Sequence, residues 1–187
     1  NYIYTEGKRL ETMALRLIDI IVTRREEIER KNTNATGIFA YLQEIYVDKE
    51  KPEDSRVKVD IRWEKGELYA DENLLKTVLI NLIDNAIKAS EAGQTVEVTG
   101  SRRENGYYFQ VRDEGIGIPE EECHKITEAF YMVDKSRSRA HNGAGLGLAL
   151  CTGILDLHHS RLEIQSTLGE GSCMSFLIPD EEVKPDE

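Results

Sequence analysis

The sequence predicts an α/β (α+β) two-layer sandwich: a mixed, mostly antiparallel sheet with about three helices packed on one face, preceded by a separate N-terminal helix. Two amphipathic segments, Leu74–Ala89 and Gly145–His158, repeat apolar residues at three- and four-residue steps. Pairs of period-two apolar runs flank turn signals at Asn105-Gly106 and Gly169-Glu170-Gly171, so hairpins alternate with helices. Helices placed between antiparallel hairpins bury their apolar stripes on one face of the sheet. A chain of 187 residues, 40% hydrophobic and 32% charged, can form one core with length left for an appendage.

From Tyr2 to about Arg30, residues Ile3, Leu10, Met13, Ala14, Leu17, Ile20, Ile21 and Ile28 mark a seam suited to helix pairing. Residues 1–30 are therefore read apart from a domain at 31–179, with a helix packed on its own domain as the alternative. Asn32-Thr33-Asn34 is expected to be a break with capping residues, after which Ile38, Phe39, Leu42, Ile45 and Tyr46 stripe a short helix. A loop follows at Lys49–Ser55. Val57, Val59, Ile61 and Trp63 alternate as a strand, Lys65-Gly66 turns, and Leu68-Tyr69-Ala70 returns as a short strand. Asp71 is placed to cap the long helix.

Gln94–Gly100 and Tyr107–Arg112 pair across Asn105-Gly106. Pro119 and three glutamates open a short helix, and from Phe130 to His141 the periodicity disappears. A stretch of this length inside a domain points to a lid, taken as 119–142. The second long helix ends at His158-His159-Ser160, where the helix dipole accounts for His158 and a left-handed turn would cost His159 more than glycine. Leu162-Glu163-Ile164 and Met174–Ile178 form the last hairpin, and residues 180–187 are an acidic tail expected to be disordered.

A net charge of −11 and a pI near 5.0 argue against a nucleic-acid surface, which relies on many basic side chains. Cys123, Cys151 and Cys173 show no CxxC spacing, so neither disulfides nor a zinc knot is expected, and a reducing, cytoplasmic setting fits. No apolar run approaches a membrane span and no signal peptide is visible, so no direct membrane contact is expected. Because the chain starts at Asn1 rather than Met, it is expected to be a piece of a longer protein from which a membrane anchor could have been removed.

The Leu74–Ala89 helix carries Val78, Leu79, Leu82, Ile83, Ala86 and Ile87 on an apolar arc, while Asn81, Asp84, Asn85 and Lys88 form a narrow polar stripe. A stripe of this kind taken alone is a solvated face. Asn and Asp are mediocre helix formers, however, so a polar partner is expected against it. Downstream, Asp113-Glu114-Gly115-Ile116-Gly117-Ile118-Pro119 ends a strand, and Asn142-Gly143-Ala144-Gly145-Leu146-Gly147-Leu148 opens a helix. An Asp at a strand end can accept from an exocyclic amine, and Gly115 and Gly117 let the backbone approach a flat ring. Glycines at a helix start expose N–H groups that, with the dipole, hold phosphate oxygens. Taken singly, the two boxes could equally be a turn and a hinge. The Asn85 amide oxygen suits magnesium, Lys88 can reach phosphate as a point charge, and the Asn81 amide cannot act as a general base. Asp84 is given no role beyond a water contact.

Together these segments resemble the catalytic, ATP-binding domain of sensor histidine kinases, in the superfamily shared with DNA gyrase, MutL and the ninety-kilodalton heat-shock chaperones. Asn81–Lys88 looks like the family's N box, Asp113–Pro119 its first glycine box, Phe130–Lys135 its F box and Gly143–Leu150 its second glycine box, within about Arg24 to Pro179. The resemblance implies Mg-ATP as ligand, with Asn81 and Lys88 as catalytic residues and Asn85 holding magnesium. It places Asp113 on the adenine amine with Ser172 behind it, and Gly115, Gly117 and Ile118 around the ring. Tyr131 and Lys135 come from the F box; Gly143, Gly145, Leu146, Gly147 and Leu148 come from the second glycine box. Hydrolytic relatives carry Glu where Asn81 stands, so the implied reaction is transfer of the γ-phosphate to a histidine. That histidine would sit on a dimerisation hairpin of which residues 1–30 are the end, in a homodimer with a response regulator as further partner.

Several positions depart from the family pattern. Ala89 stands where many members have an aromatic residue on adenine, and Met132 where many have Arg, whose role would fall to Lys135, Arg137 or Arg139. The helix end has His158-His159-Ser160 in place of His-Gly-Gly. None of the four histidines lies in the phosphoacceptor motif, and none pairs with a carboxylate or thiolate at zinc-ligand spacing. Two other readings stay open: a non-catalytic module whose ATP-ordered lid binds a partner, and a serine kinase of the anti-sigma type, disfavoured by the long pairing helix.

Overall fold

The alternating apolar residues of five segments build one sheet in a computed structural model that describes residues 28–46, 57–129, 131 and 145–180. Its strands are β2 (Val57–Trp63), β4 (Gln94–Arg103), β5 (Gly106–Asp113), β6 (Glu163–Thr167) and β7 (Gly171–Pro179), in the order β2-β4-β5-β7-β6. The β2–β4 pair is parallel and the other three pairs are antiparallel, so the sheet is mixed and mostly antiparallel as the sequence predicts. Strand β1 (Lys31–Asn34) pairs with β3 (Glu67–Ala70) in a separate ribbon. The described residues contain three α-helices, α1 (Ala35–Tyr46), α2 (Glu72–Ala89) and α3 (Gly147–Leu157).

One face of the sheet is a ladder of apolar rows. Tyr107 opposes Ile178, Phe109 opposes Phe176, and Val111, Met174 and Ile164 form the next row across β5, β7 and β6. The helices close this face: α2 buries Leu75, Val78, Leu79, Leu82, Ile83 and Ala86, and α3 buries Cys151, Ile154 and Leu155. Phe39 of α1 stacks between Trp63 and Phe109, with ring centroids at 5.5 and 5.7 Å. Phe39 can lie this low because Gly100 is beneath it, where a Cβ would sit 2.4 Å from the ring. Aromatic stacks of this kind add to the area they bury.

Two expectations are corrected here. Lys31–Asn34 is a strand rather than a break, because β3 offers a partner in register from Lys31↔Ala70 to Asn34↔Glu67. Capping still operates at its end, where Asn34 Oδ1 accepts from the Thr36 N–H at 2.8 Å. His158 is not a solvated cation at a helix terminus: it is buried, its Nε2 accepts from the Asp71 N–H at 3.0 Å, and its Nδ1 lies 2.8 Å from the Ile154 carbonyl. An Nε2 that accepts leaves the proton on Nδ1, which donates to Ile154, so the ring is neutral. The C-terminus of α3 then closes through Ser160 N–H to Leu155 O and His159 N–H to Asp156 O, with His159 left-handed at φ 54°. That is the Schellman geometry with His in the position glycine favours. The predicted N-terminal helix over Tyr2–Arg30, the loop at 49–55, residues 130 and 132–142 of the lid and the tail from 181 lie outside the described residues, apart from Ile28–Arg30, which carry no helix.

Burial lowers the His158 pKa from its ordinary value, against raising contributions from the Ile154 carbonyl and Asp71, with Arg30 and His159 lowering it further. The folded protein therefore resists protonation that the unfolded chain accepts. Above the unfolded value of about 6.5 His158 costs nothing, and below it stability falls with pH by up to about 1.4 kcal/mol per unit until the folded pKa is passed. Urea unfolding at pH 7.5 and 5.5 should show a loss at acid pH that shrinks in His158→Gln.

Candidate functional site

Helix α2 owes its start to Asp71, whose carboxylate accepts from the N–H groups of Asn73 and Leu74 at 3.0 and 3.1 Å. Its polar stripe does not act as one surface. Asp84 accepts from the Tyr46 hydroxyl at 2.7 Å, which turns it toward the end of α1, and burial and then this carboxylate push the Tyr46 phenol up. Asp84 is thus a structural partner, not only a water contact. Lys88 is exposed and makes no ion pair among the described residues. Asn81 and Asn85 face the start of α3: a Cβ on Gly147 would sit 2.9 Å from Asn81 Oδ1 and 3.9 Å from Asn85 Nδ2. Asn81 Nδ2 donates to the Thr77 carbonyl at 2.9 Å, which holds its Oδ1 toward α3. The Asn85 side-chain amide has no hydrogen-bond partner among the described residues, so it remains available to a ligand or a cation.

Gly145 precedes α3 with φ +69°, and the helix begins at Gly147, two residues later than predicted. Among the described residues no side chain caps it: Leu146 is the N-cap residue and offers no acceptor. The first-turn N–H groups of α3 lack the side-chain acceptor that Asp71 provides to α2.

Asp113 ends β5. It is 6% exposed, and both of its backbone donors, Gly115 N–H at 2.9 Å and Ser172 N–H at 3.3 Å, reach Oδ1. Burial raises its pKa while those two hydrogen bonds lower it. Among the described residues no donor meets Oδ2, so the accessible oxygen of an otherwise buried side chain is left for a ligand; an exocyclic amine fits it. The box that follows needs its glycines for a reason the sequence did not reveal. A Cβ on Gly115 would lie 2.3 Å from the Ala89 carbonyl oxygen, and one on Gly117 2.0 Å from that of Thr167. On that side the glycines admit the protein's own backbone. Ile116 N–H bonds to Ala89 O at 3.1 Å and Gly169 N–H to Ile116 O at 2.8 Å, which ties the box between α2 and the β6–β7 hairpin. Ile118 N–H bonds to Ser166 Oγ at 2.7 Å.

The structure thus brings Asn81, Asn85, Gly145, Leu146 and Gly147 together, and Asp113, Gly115, Gly117, Ile118 and Ser172 together. Leu148 lies in the first turn of α3, partly buried against the core. Tyr131 packs back locally, its hydroxyl bonded to the Glu122 carboxylate and its ring 5.9 Å from Lys125 Nζ. Lys135 and Gly143 lie outside the described residues. Sequence reasoning missed Ser166, Gln94 and Tyr46. Gln94 Nε2 donates to Glu114 O at 2.6 Å and braces the first box from the α2–β4 turn.

The family model for histidine kinase-, DNA gyrase B-, and HSP90-like ATPases matches residues 70–182. The adaptive-response sensory kinase SasA of Prochlorococcus marinus is 34% identical over 181 residues, 92% of this chain and 45% of that protein. The phosphate regulon sensor protein PhoR of Haemophilus influenzae is 41% identical over 112 residues, 60% of this chain and 26% of that protein. The chain therefore spans less than half the length of these relatives. Among solved structures, the catalytic domain of histidine kinase ThkA superposes with a TM-score of 0.68 at 25% identity, covering 81% of this chain and 96% of that one. ThkA in complex with the response regulator TrrA gives 0.70 at 24% over 99% and 51%. Full-length ShkA in complex with AMPPNP gives 0.70 at 22% over 95% and 38%.

Gly115→Ala should destabilise the fold by about 2 kcal/mol or more, because the obstructing atom is a backbone carbonyl that cannot swing away. Gly93→Ala, with φ +90° but nothing within 4 Å of the new Cβ, should cost about 1 kcal/mol. Denaturant midpoints of the two variants measured side by side check the order.

Proposed function

The chain belongs to the histidine kinase-, DNA gyrase B- and HSP90-like ATPase family, and from that premise we propose that it is the ATP-binding catalytic part of a sensor histidine kinase. It transfers the γ-phosphate of Mg-ATP to a histidine on a dimerisation hairpin. The observation that carries this reading is the start of α3, uncapped among the described residues, lying against Asn81 and Asn85 of α2, the helix whose last residue bonds to the box that follows the buried Asp113.

Asp113 Oδ2 accepts from the adenine amine. The free N–H groups and dipole of α3 hold phosphate oxygens at Gly145, Leu146 and Gly147. Lys88 adds a mobile positive charge. Asn85, with an unpartnered amide, suits magnesium, which would supply charge stabilisation at the phosphates. Asn81 presents a neutral amide oxygen whose orientation is held by Thr77. It can position a nucleophile but cannot take its proton, so water is activated poorly and the phosphoryl group waits for a histidine. Catalysis of this kind rests on positioning and charge stabilisation.

The partners follow from the same reading: the phosphoacceptor hairpin in a homodimer, and a response regulator, as the ThkA–TrrA complex supports. The AMPPNP complex of ShkA supports the nucleotide. Among the described residues no helix is long and apolar enough to cross a membrane, and a cytoplasmic setting is part of the proposal.

With Mg-ATP alone the chain should bind nucleotide, hydrolyse it slowly and acquire almost no covalent phosphate. Mixed with a separate hairpin from the same parent protein, it should label that hairpin with an acid-labile, base-stable phosphate. Asn85→Ala should abolish transfer, and Asn81→Glu should raise hydrolysis at the expense of transfer. Asp113→Asn should weaken ATP binding by at least about tenfold in calorimetry, because the amide can present its NH₂ to the adenine amine. Stoichiometric self-labelling, or fast turnover with no partner, would assign the chain to the hydrolytic side of the family instead.

A further inference from the structure

Asp113, Ser172 and Ser166 lie in one row across three neighbouring strands: Asp113 opposes Ser172 on β5–β7, and Ser172 opposes Ser166 on β6–β7. The row continues the apolar face, since the row before it is Val111, Met174 and Ile164. Three polar side chains thus occupy the place where the core face would otherwise carry apolar ones, and two of them, Asp113 and Ser172, are buried.

Ser166 makes three hydrogen bonds through one oxygen. Its Oγ accepts from the Ile118 N–H at 2.7 Å, lies 2.9 Å from the Gly171 carbonyl, and lies 2.9 Å from Ser172 Oγ. A hydroxyl has one proton to give. The Gly171 carbonyl can only accept, so the Ser166 proton must go there. The contact with Ser172 is then satisfied only if Ser172 is the donor. With its single proton committed to Ser166, the Ser172 hydroxyl has only lone pairs left to offer a further partner.

We infer that Ser166 is a specificity-determining positioning residue that fixes the proton of Ser172, so that Ser172 and Asp113 together face the base as two acceptors. Meeting the 6-substituent, such a pair favours a 6-amino purine, whose amine has two protons to give, and opposes a 6-oxo purine, whose oxygen would meet lone pairs. A site built to pair one polarity rejects the other because its buried groups are left unmatched. Ser166 does this without touching the base. The inference rests on the adenine reading given above and adds to it a residue on the outer strand, β6, that none of the four boxes contains.

The test is the ratio of ATP to inosine triphosphate affinity, measured by calorimetry on the whole 187-residue chain. Inosine triphosphate differs at the 6-position and at the N1 proton that accompanies it. Ser166→Ala frees the Ser172 hydroxyl to rotate and donate, so the ratio should narrow by about fivefold, the worth of one neutral hydrogen bond. Ser172→Ala should narrow it by a similar factor, and the double variant by no more than either alone. Ser166→Thr, which keeps the hydroxyl, should retain the wild-type ratio.

An equal loss of both nucleotides in Ser166→Ala, with the ratio intact, would make Ser166 a merely structural brace and overturn the inference. Should Ser166→Ala fail to fold by urea titration, the Ser172→Ala variant decides alone: an unchanged ratio there also overturns it. If the wild-type chain binds neither nucleotide, the adenine reading itself fails and this inference falls with it. If it binds ATP and prefers it, that reading stands whatever the serine variants do.

Discussion

The site is assembled by one close approach of backbone to backbone. The last turn of α2 places the Ala89 carbonyl against Gly115 and Ile116, close enough that no side chain fits at position 115. That contact brings the helix carrying Asn81 and Asn85 alongside the strand end carrying Asp113, although roughly thirty residues of chain separate them. Gln94 and Thr95 reinforce it by bonding Glu114 from the turn that follows α2. A contact built from a carbonyl and an N–H tolerates little displacement, because a lost backbone hydrogen bond at a half-buried site is not readily replaced. Rigidity at this junction is what holds Asn81 and Asn85 in place relative to the first glycine box.

The second organising feature is where the hydrophobic face stops. Rows of the sheet run from Tyr107 and Ile178 through Phe109 and Phe176 to Val111, Met174 and Ile164, and then turn polar at Asp113, Ser172 and Ser166. Burying polar groups at the end of a core costs free energy unless each finds a partner. Here the partners are close at hand: Asp113 takes the Ser172 N–H across β5–β7 and the Gly115 N–H from the turn after β5, and the serines bond each other. Only Asp113 Oδ2 is left without a partner in the row. The apolar rows fix the strand register, and the register in turn decides which three polar residues meet.

Much of this was legible in the sequence because it depends on local period. The alternation in β4, β5 and β7 and the apolar arc of α2 predict both layers, and the position of Asp113 at a strand end follows from the break in alternation there. What could not be read depends on contacts between distant segments. Asp84 lies on the same helical stripe as Asn85, and only the arrival of Tyr46 from α1 separates their roles. Lys31–Asn34 has the composition of a capping break and becomes a strand because β3 is there to pair with it. His158 looks like a cation at a helix end until Asp71 of another element supplies an N–H for its second nitrogen. The glycines of the first box signal a close approach, and the sequence is silent on whether the approaching group is a ligand or, as at Ala89 and Thr167, the chain itself.

The contrast between the two helix N-termini explains why the anion site lies where it does. Every helix begins with N–H groups that have no partner within it, and a protein can either satisfy them or leave them for a ligand. At α2 they are satisfied repeatedly: the Asp71 carboxylate takes two, Glu72 adds negative charge to the first turn, and the Asp71 N–H itself is taken by His158. At α3 nothing comparable occurs among the described residues. Gly145, Leu146 and Gly147 bring no acceptor, and Gly147 instead lets the helix start settle onto Asn81 and Asn85, whose amides are neutral and leave the positive end of the dipole uncompensated. A charged cap at α3 would stabilise the free helix and compete with any phosphate for the same N–H groups. The stability given up at α3 is the condition for binding there, and the heavily capped start of α2 keeps the helix that bears the amides fixed while α3 carries the open terminus.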